Sequence, residues 1–291
     1  TILGNKSYMI CDKNHPASHP LAIKKFQESM EVIELDGREN MSLLEKKLEE
    51  LEVDAVYIQK CGKKDDGRFV TNKPMLIHAV GCENDPHGHV YAYVSEWLSK
   101  ECSNYKHPYV PYMAHLPEHE EDFRADLNIP PDATVFSRIG GFYSWNIPFV
   151  APTIAAVLNE RDDVYFVFVQ TEKFTDHPRV IHIDPFADLE TKRKFINTSD
   201  AFLHARAEGE SFGMACAEYS ICNKPVITYE GSPERNHIFT LGDKGIYYDG
   251  PEKLLEILRT FKYDPSVDHN AYRDLSPQKV IEKFKNVFLD K

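Results

Sequence analysis

Two carboxylates, Glu210 and Glu218, bracket the stretch "ESFGMACAE", separated by a phenylalanine, a glycine and small residues. A strand-like run, "AFLHAR", comes before them and a second, "KPVITY", comes after. The acids therefore flank a strand-to-helix turn. A helix starting near Phe212 or Gly213 leaves its first N–H groups unpaired and turns its positive dipole end toward the preceding loop. Such an end suits a sugar hydroxyl or a diphosphate. Gly213 lets the backbone come close to a ligand, with Ser211, Phe212 and Met214 around it. Glu218 lies further along the helix, and a carboxylate there can accept hydrogen bonds from both vicinal hydroxyls of a ribose. The plain alternative is two acids on a solvated helix face.

Other residues could join this chemistry. Arg138 closes the strand-like "TVFSR", and Gly140 and Gly141 behind it allow a loop to pass close to phosphate. Arg206 in "LHAR" and Lys173 in "QTEKF" offer further positive charge, though each on its own reads as an ordinary surface or ion-paired residue. Ile183 or Phe186, in "VIHIDPF", could pack on a flat ring, with core packing as the alternative. Gly231 and Ser232 fit a nearby turn. In the first half, His78 in "MLIHAVG" stands at an expected strand end. His87 and His89 with Glu83 and Asp85 carry metal-ligand chemistry, but their Gly- and Pro-containing surroundings favour a loop, and no metal is expected. "KKDDG" at 63–67 reads as a solvated turn.

The elements that must position these residues alternate along the chain. Strand-like "SYMICDK", "EVIELD", "VDAVYIQKCG" and "KPMLIHAVG" are interleaved with helix-like "HPLAIKKFQESM" and "MSLLEKKLEELE". "HVYAYVSEWLSK" also reads as a helix. Prolines at 108, 111, 117, 130 and 131 then interrupt the pattern. Alternation resumes at 134 and ends in helix-like "PEKLLEILRTF" and "SPQKVIEKFKNVFLD". The expectation is an α/β protein of two doubly wound, Rossmann-like halves facing a cleft. Its domains are 1–118, a linker 119–133, a second domain 134–270, and a final helix 271–291 packing back on the first.

Bulk composition narrows the partners. A net charge of −12 argues against nucleic acid, and no apolar run is long enough to span a bilayer, so no stable membrane insertion is expected. The opening "TILGNKSYMICDK" lacks the pattern of a signal peptide. Six scattered cysteines without a CxxC pair read as reduced thiols in a cytoplasmic protein.

The second half resembles the nucleotide-sugar-binding domain of retaining GT-B glycosyltransferases, the family 4-like group with an E-x7-E motif. Glu210 through Glu218 form that motif, and "NKPVIT" stands where the family has "GKPVIA". "VFSRIGG", "YVSEWL" and "YVPYM" extend the resemblance weakly over most of the chain. The resemblance implies a nucleotide-diphosphate sugar donor, UDP or GDP, with no cofactor or metal, and transfer with retention to a glycan or glycolipid, as in polysaccharide biosynthesis. It implies that Glu210 lies by the donor sugar, Glu218 by the ribose, Arg138 by phosphate and His78 by the sugar. One departure stands out. The family carries a lysine shortly after the arginine, where this chain has "FYSWNIP" with Ser144 and Asn146. Arg206 or Lys173 would have to substitute. The alternative is a GT-B protein that binds a nucleotide sugar or a partner without turnover.

Overall fold

The computed structural model describes residues 3–12, 14–15, 18, 20–35, 41–64 and 70–290. The chain divides into two compact units, Thr1–Pro111 with Gln278–Lys291, and Tyr112–Pro277.

The first unit contains β1 (Tyr8–Asp12), α1 (Pro20–Gln27), β2 (Glu31–Leu35), α2 (Met41–Glu50), β3 (Val56–Lys60), β4 (Met75–Ala79), β5 (Val90–Tyr93) and α3 (Glu96–Ser103). β1 and β2 pair in parallel, and β3, β4 and β5 form a parallel sheet in that order. Every residue of β4 and β5 is buried, as continuous apolar strands require when both faces are covered.

Two expectations are corrected here. "HVYAYVSEWLSK" is a strand and a helix rather than one helix. Valine and tyrosine favour the pleated strand, and Ser95 then starts α3 by accepting a bond from the Leu98 N–H at 3.3 Å. The cysteines are also not all reduced. Cys82, just after β4, and Cys102, in the last turn of α3, are bonded to each other with Cα atoms 5.7 Å apart. Their separation of 20 residues matches no motif, so only the fold brings them together. The other four cysteines, Cys11, Cys61, Cys216 and Cys222, are not in a disulfide.

The second unit contains β6 (Thr134–Arg138), α4 (Val150–Glu160), β7 (Val164–Val169), β8 (Val180–Ile183), α5 (Leu189–Thr198), β9 (Ala201–Leu203), β10 (Gly209–Glu210), α6 (Met214–Ile221), β11 (Val226–Tyr229), β12 (Glu234–Arg235), α7 (Asn236–Leu241), β13 (Ile246–Tyr248) and α8 (Pro251–Thr260). Six strands form one parallel sheet in the order β13-β11-β9-β6-β7-β8. The chain winds outward from β6 to β8, then crosses back to β9 and winds the other way. The order thus reverses between β6 and β9, whose carboxyl ends are where open α/β sheets bind ligands.

The core of this unit follows from the apolar spacing of α4, where Val150, Ile154 and Val157 are fully buried on one stripe. They meet Phe136 and Phe166, whose rings stack at 5.3 Å, and Leu254 and Leu258 of α8. Each such side chain contributes about 1.5–3 kcal/mol by leaving water. The proline-rich stretch before β6 packs on this unit. Arg124 donates to the Thr198 carbonyl at 3.1 Å and the Ala133 carbonyl at 2.8 Å, and it pairs with Asp200 at 3.0 Å.

The last helix, α9 (Pro277–Phe284), continues as a wider turn over Lys285–Leu289. Phe284 and Phe288 pack edge-on against Tyr57 of β3, at 5.3 and 5.6 Å. Among the described residues, no helix is long and apolar enough to cross a membrane.

Candidate functional site

The reversal point of the second unit's sheet gathers most of the singled-out residues. Arg138 ends β6 and is buried. One guanidinium nitrogen bonds the Thr171 hydroxyl. The other donates to the Gly141 carbonyl at 2.9 Å and to Ser144 Oγ at 2.7 Å. Its hydrogen-bond acceptors are thus neutral oxygens. Burial draws its pKa down to about 10, still charged near neutrality, while Tyr219 and Glu210 favour the charge. Gly140 faces this group, for a Cβ there would come within 3.1 Å of the guanidinium.

Glu210, which ends the short β10 strand that follows β9, receives one partner on each carboxylate oxygen. His204 Nε2 lies 3.2 Å from Oε1, and Arg206 donates to Oε2 at 3.1 Å. Burial alone would raise the carboxyl's pKa. His204 and Arg206 outweigh it and hold the group below the usual carboxylate range. Two glycines make this corner possible. Gly209 has φ +77°, and a Cβ there would fall on the Glu234 carbonyl. Gly213 precedes α6 at φ +88°, and its Cβ would meet those of Glu210 at 3.2 Å and His237 at 3.3 Å. Both positions need the left-handed conformation and the missing side chain.

α6 is fixed on the sheet by Tyr219, which stacks on Phe202 at 4.3 Å and bonds Ser137 at 2.6 Å. Phe212 is buried against Tyr112, with ring centroids 5.0 Å apart, and its carbonyl accepts from Asn236 at 2.7 Å. Met214 opens the helix and Ser211 sits in the turn before it. Glu218, buried on α6, pairs with Lys192 of α5 at 2.8 Å.

Other expected residues lie elsewhere. Lys173 sits on the loop after β7, more than half exposed, and pairs with Asp176 at 2.5 Å. Ile183 ends β8, two strands away from β6. Phe186 packs on Phe195 at 5.7 Å. Ser232 is buried and donates to the Arg206 carbonyl at 3.2 Å. Asn146, where the resemblance puts a lysine, accepts from the Ala207 N–H at 2.8 Å and donates to both oxygens of Glu208, at 3.0 and 2.9 Å. It braces the loop toward Glu210 and brings no charge.

His78 belongs to the first unit and lies within β4 rather than at its end. Nε2 donates to the Val110 carbonyl at 2.7 Å, so Nδ1 accepts from the Tyr57 hydroxyl at 2.5 Å. Burial lowers its pKa to about 4. Among the described residues, no three histidines, cysteines or acids cluster as metal ligands. His87 Nδ1 instead bonds the Asp85 carbonyl at 2.7 Å, and His89 Nδ1 accepts from the Met75 N–H at 3.2 Å. Asp65, Asp66 and Gly67 of "KKDDG" lie outside the described residues.

Residues 178–276, which include the Glu210–Glu218 block, match the family model of glycosyl transferases group 1. No curated protein matches the chain. Among solved structures, a glycosyltransferase from Rickettsia africae ESF-5 is similar at TM-score 0.69 and 16% identity, over 100% of this chain and 92% of that one. HepE from Anabaena, in complex with UDP-glucose, gives 0.66 and 12%, over 96% and 99%. WaaG, a glycosyltransferase involved in lipopolysaccharide biosynthesis, gives 0.66 and 12%, over 100% and 93%. The chain has the GT-B fold, as expected.

Proposed function

We propose that this protein is a glycosyltransferase whose second unit holds a nucleotide-diphosphate sugar at the carboxyl ends of β6 and β9. The observation that carries the reading is the pairing at that point of a buried guanidinium on neutral acceptors, Arg138, with the oriented carboxylate of Glu210. Departure of the nucleoside diphosphate builds negative charge, and a preorganised cation in a desolvated place stabilises it far better than water-exposed charge does. In this reading Arg138 faces the diphosphate, with Gly140 and Gly141 giving it room. The unpaired N–H groups at the start of α6, behind Gly213, serve the sugar or the diphosphate.

Glu210 then lies by the donor sugar and Glu218 by the ribose, held in place by Lys192. His78, bonded on both ring nitrogens, packs the first unit. The reaction is taken to retain anomeric configuration, to need no metal, and to deliver the sugar to a glycan or glycolipid, as in polysaccharide biosynthesis. UDP-glucose in HepE makes UDP-sugars the first donors to try. The cytoplasmic location suggested by scattered cysteines conflicts with the Cys82–Cys102 bond, and the response of the melting temperature to reductant decides between them.

A binding protein without turnover is the second reading. It is favoured by Asn146, which is uncharged and committed to Glu208 and Ala207 where the resemblance puts a lysine. A thermal-shift panel of UDP-, GDP-, ADP- and dTDP-sugars, with and without EDTA, tests the proposal, because a ligand of the folded state raises the melting temperature. One nucleotide series should shift it, with no effect of EDTA. No shift with any series would overturn the transferase reading and leave the second in its partner-binding form, and a shift without turnover would also leave the second.

A further inference from the structure

Glu210 is oriented by a chain of buried polar groups that starts on a different strand. His204, one residue past β9, places Nε2 3.2 Å from Glu210 Oε1 and Nδ1 2.8 Å from the Thr228 hydroxyl on β11. A carboxylate only accepts hydrogen bonds, so Nε2 carries the proton. In the neutral form that this implies, Nδ1 is a lone pair to which the fully buried Thr228 hydroxyl donates; in the imidazolium form Nδ1 would donate to that hydroxyl instead. Thr228 thereby selects the tautomer that can reach Glu210.

The ring itself has little freedom. The Tyr248 hydroxyl donates to the His204 carbonyl at 2.9 Å. His237 lies against the ring with centroids 4.9 Å apart. His237 is fully buried, neither of its nitrogens has a hydrogen-bond partner among the described residues, and burial keeps it neutral. It is a wall beside His204 and competes for neither Thr228 nor Glu210.

We propose that His204 is a positioning residue for sugar transfer, aiming the Glu210 carboxylate at the donor sugar through Nε2 while Thr228 fixes its tautomer. Arg206 takes the other carboxylate oxygen, so the two partners together leave the acid a single orientation. This inference rests on the proposed role of Glu210 and adds the residues that make the role possible.

The test uses the full chain with His204→Ala, His204→Gln, Thr228→Val and Glu210→Gln. Two quantities are measured: the affinity for UDP and the slow release of UDP from UDP-glucose, or the corresponding pair from whichever nucleotide series the wild type binds. Misaiming a catalytic carboxylate should lower kcat by ~10- to 100-fold in His204→Ala. UDP affinity should stay within about twofold of wild type, because the diphosphate and ribose contacts are untouched. His204→Gln, which keeps an N–H donor, should recover part of the rate. Thr228→Val should fall between the two while preserving shape.

Parallel loss of UDP affinity and kcat in His204→Ala and Thr228→Val would mean a merely structural role and would overturn the inference. So would a wild-type rate in His204→Ala while Glu210→Gln is impaired, and then the reading of Glu210 itself would survive. A wild-type chain that binds no nucleotide sugar would overturn that reading, and this inference with it.

Discussion

Replacing Arg138 with methionine gives the most quantitative prediction. The guanidinium is buried, and its bonds go to Gly141, Ser144, Gln170 and Thr171, so among the described residues no carboxylate lies within hydrogen-bonding distance of it. A unit charge about 4 Å from a phosphate oxygen is worth about 4 kcal/mol at an effective dielectric constant of about 20. In the proposed site the start of α6 would share the anion, so the expected loss is about 2–4 kcal/mol, or roughly 30- to 1,000-fold in Kd. Calorimetric titration of wild type and Arg138→Met with the bound nucleoside diphosphate, and separately with the uncharged nucleoside, isolates this contribution. Nucleoside affinity should not move. Arg138→Lys keeps the charge but loses the planar fork, and its diphosphate affinity should fall in between. The acceptors left behind cost about 1–3 kcal/mol of stability, so a melting curve must accompany each titration. If folded Arg138→Met binds the diphosphate as wild type does, the guanidinium only staples the loop over 141–144, and the argument for a phosphate site fails.

Three further outcomes follow from other parts of the molecule. Glu218→Gln should weaken nucleoside binding by ~10- to 150-fold, the worth of one hydrogen bond to a charged acceptor, while inorganic phosphate competition is unchanged. Reducing the Cys82–Cys102 bond, or making Cys102→Ser, should remove about 3 kcal/mol of stability by the loop-entropy relation. A melting temperature insensitive to reductant would show that the thiols are unpaired and restore the expectation of a reducing compartment. His78 has its folded pKa lowered from 6.5 to about 4, so above pH 6.5 it costs nothing. As pH falls below 6.5 the unfolded chain takes up a proton that the folded ring refuses. Stability then declines, by about 3 kcal/mol at pH 4. Urea midpoints of wild type and His78→Gln between pH 7 and 4.5 should diverge accordingly, and parallel curves would refute the assignment.

The elements that hold the site were largely legible from the chain, because a strand, a glycine and a helix start are local events. Gly213 in "ESFGMACAE" signals its own left-handed turn, and β6 and β11 are short apolar runs. What was not legible joins residues far apart in sequence. Lys192 meets Glu218, Asn146 meets Ala207 and Glu208, and Thr228 meets His204, each pair set by strand order alone. His204 stood in plain sight in "LHAR", two positions before Arg206, but its value depends on a hydroxyl from β11. His78 shows the same limit from the other side. Its place near a strand end and the resemblance pointed to a site, and only the fold shows its two ring nitrogens bonded to Tyr57 and Val110. The β5–α3 boundary was missed because "HVYAYVSEWLSK" is apolar at both periods and only the Ser95 cap divides it.

The central claim is the location of the nucleotide-sugar site, and hydrogen–deuterium exchange across the chain with saturating UDP-glucose, or another bound nucleotide sugar, tests it most directly. The account predicts protection concentrated in residues 138–146 and 204–218, at the carboxyl ends of β6 and β9. Protection confined instead to the far end of the sheet, around the cavity of about 290 Å³ lined by Phe261, Tyr263 and His269, would contradict it.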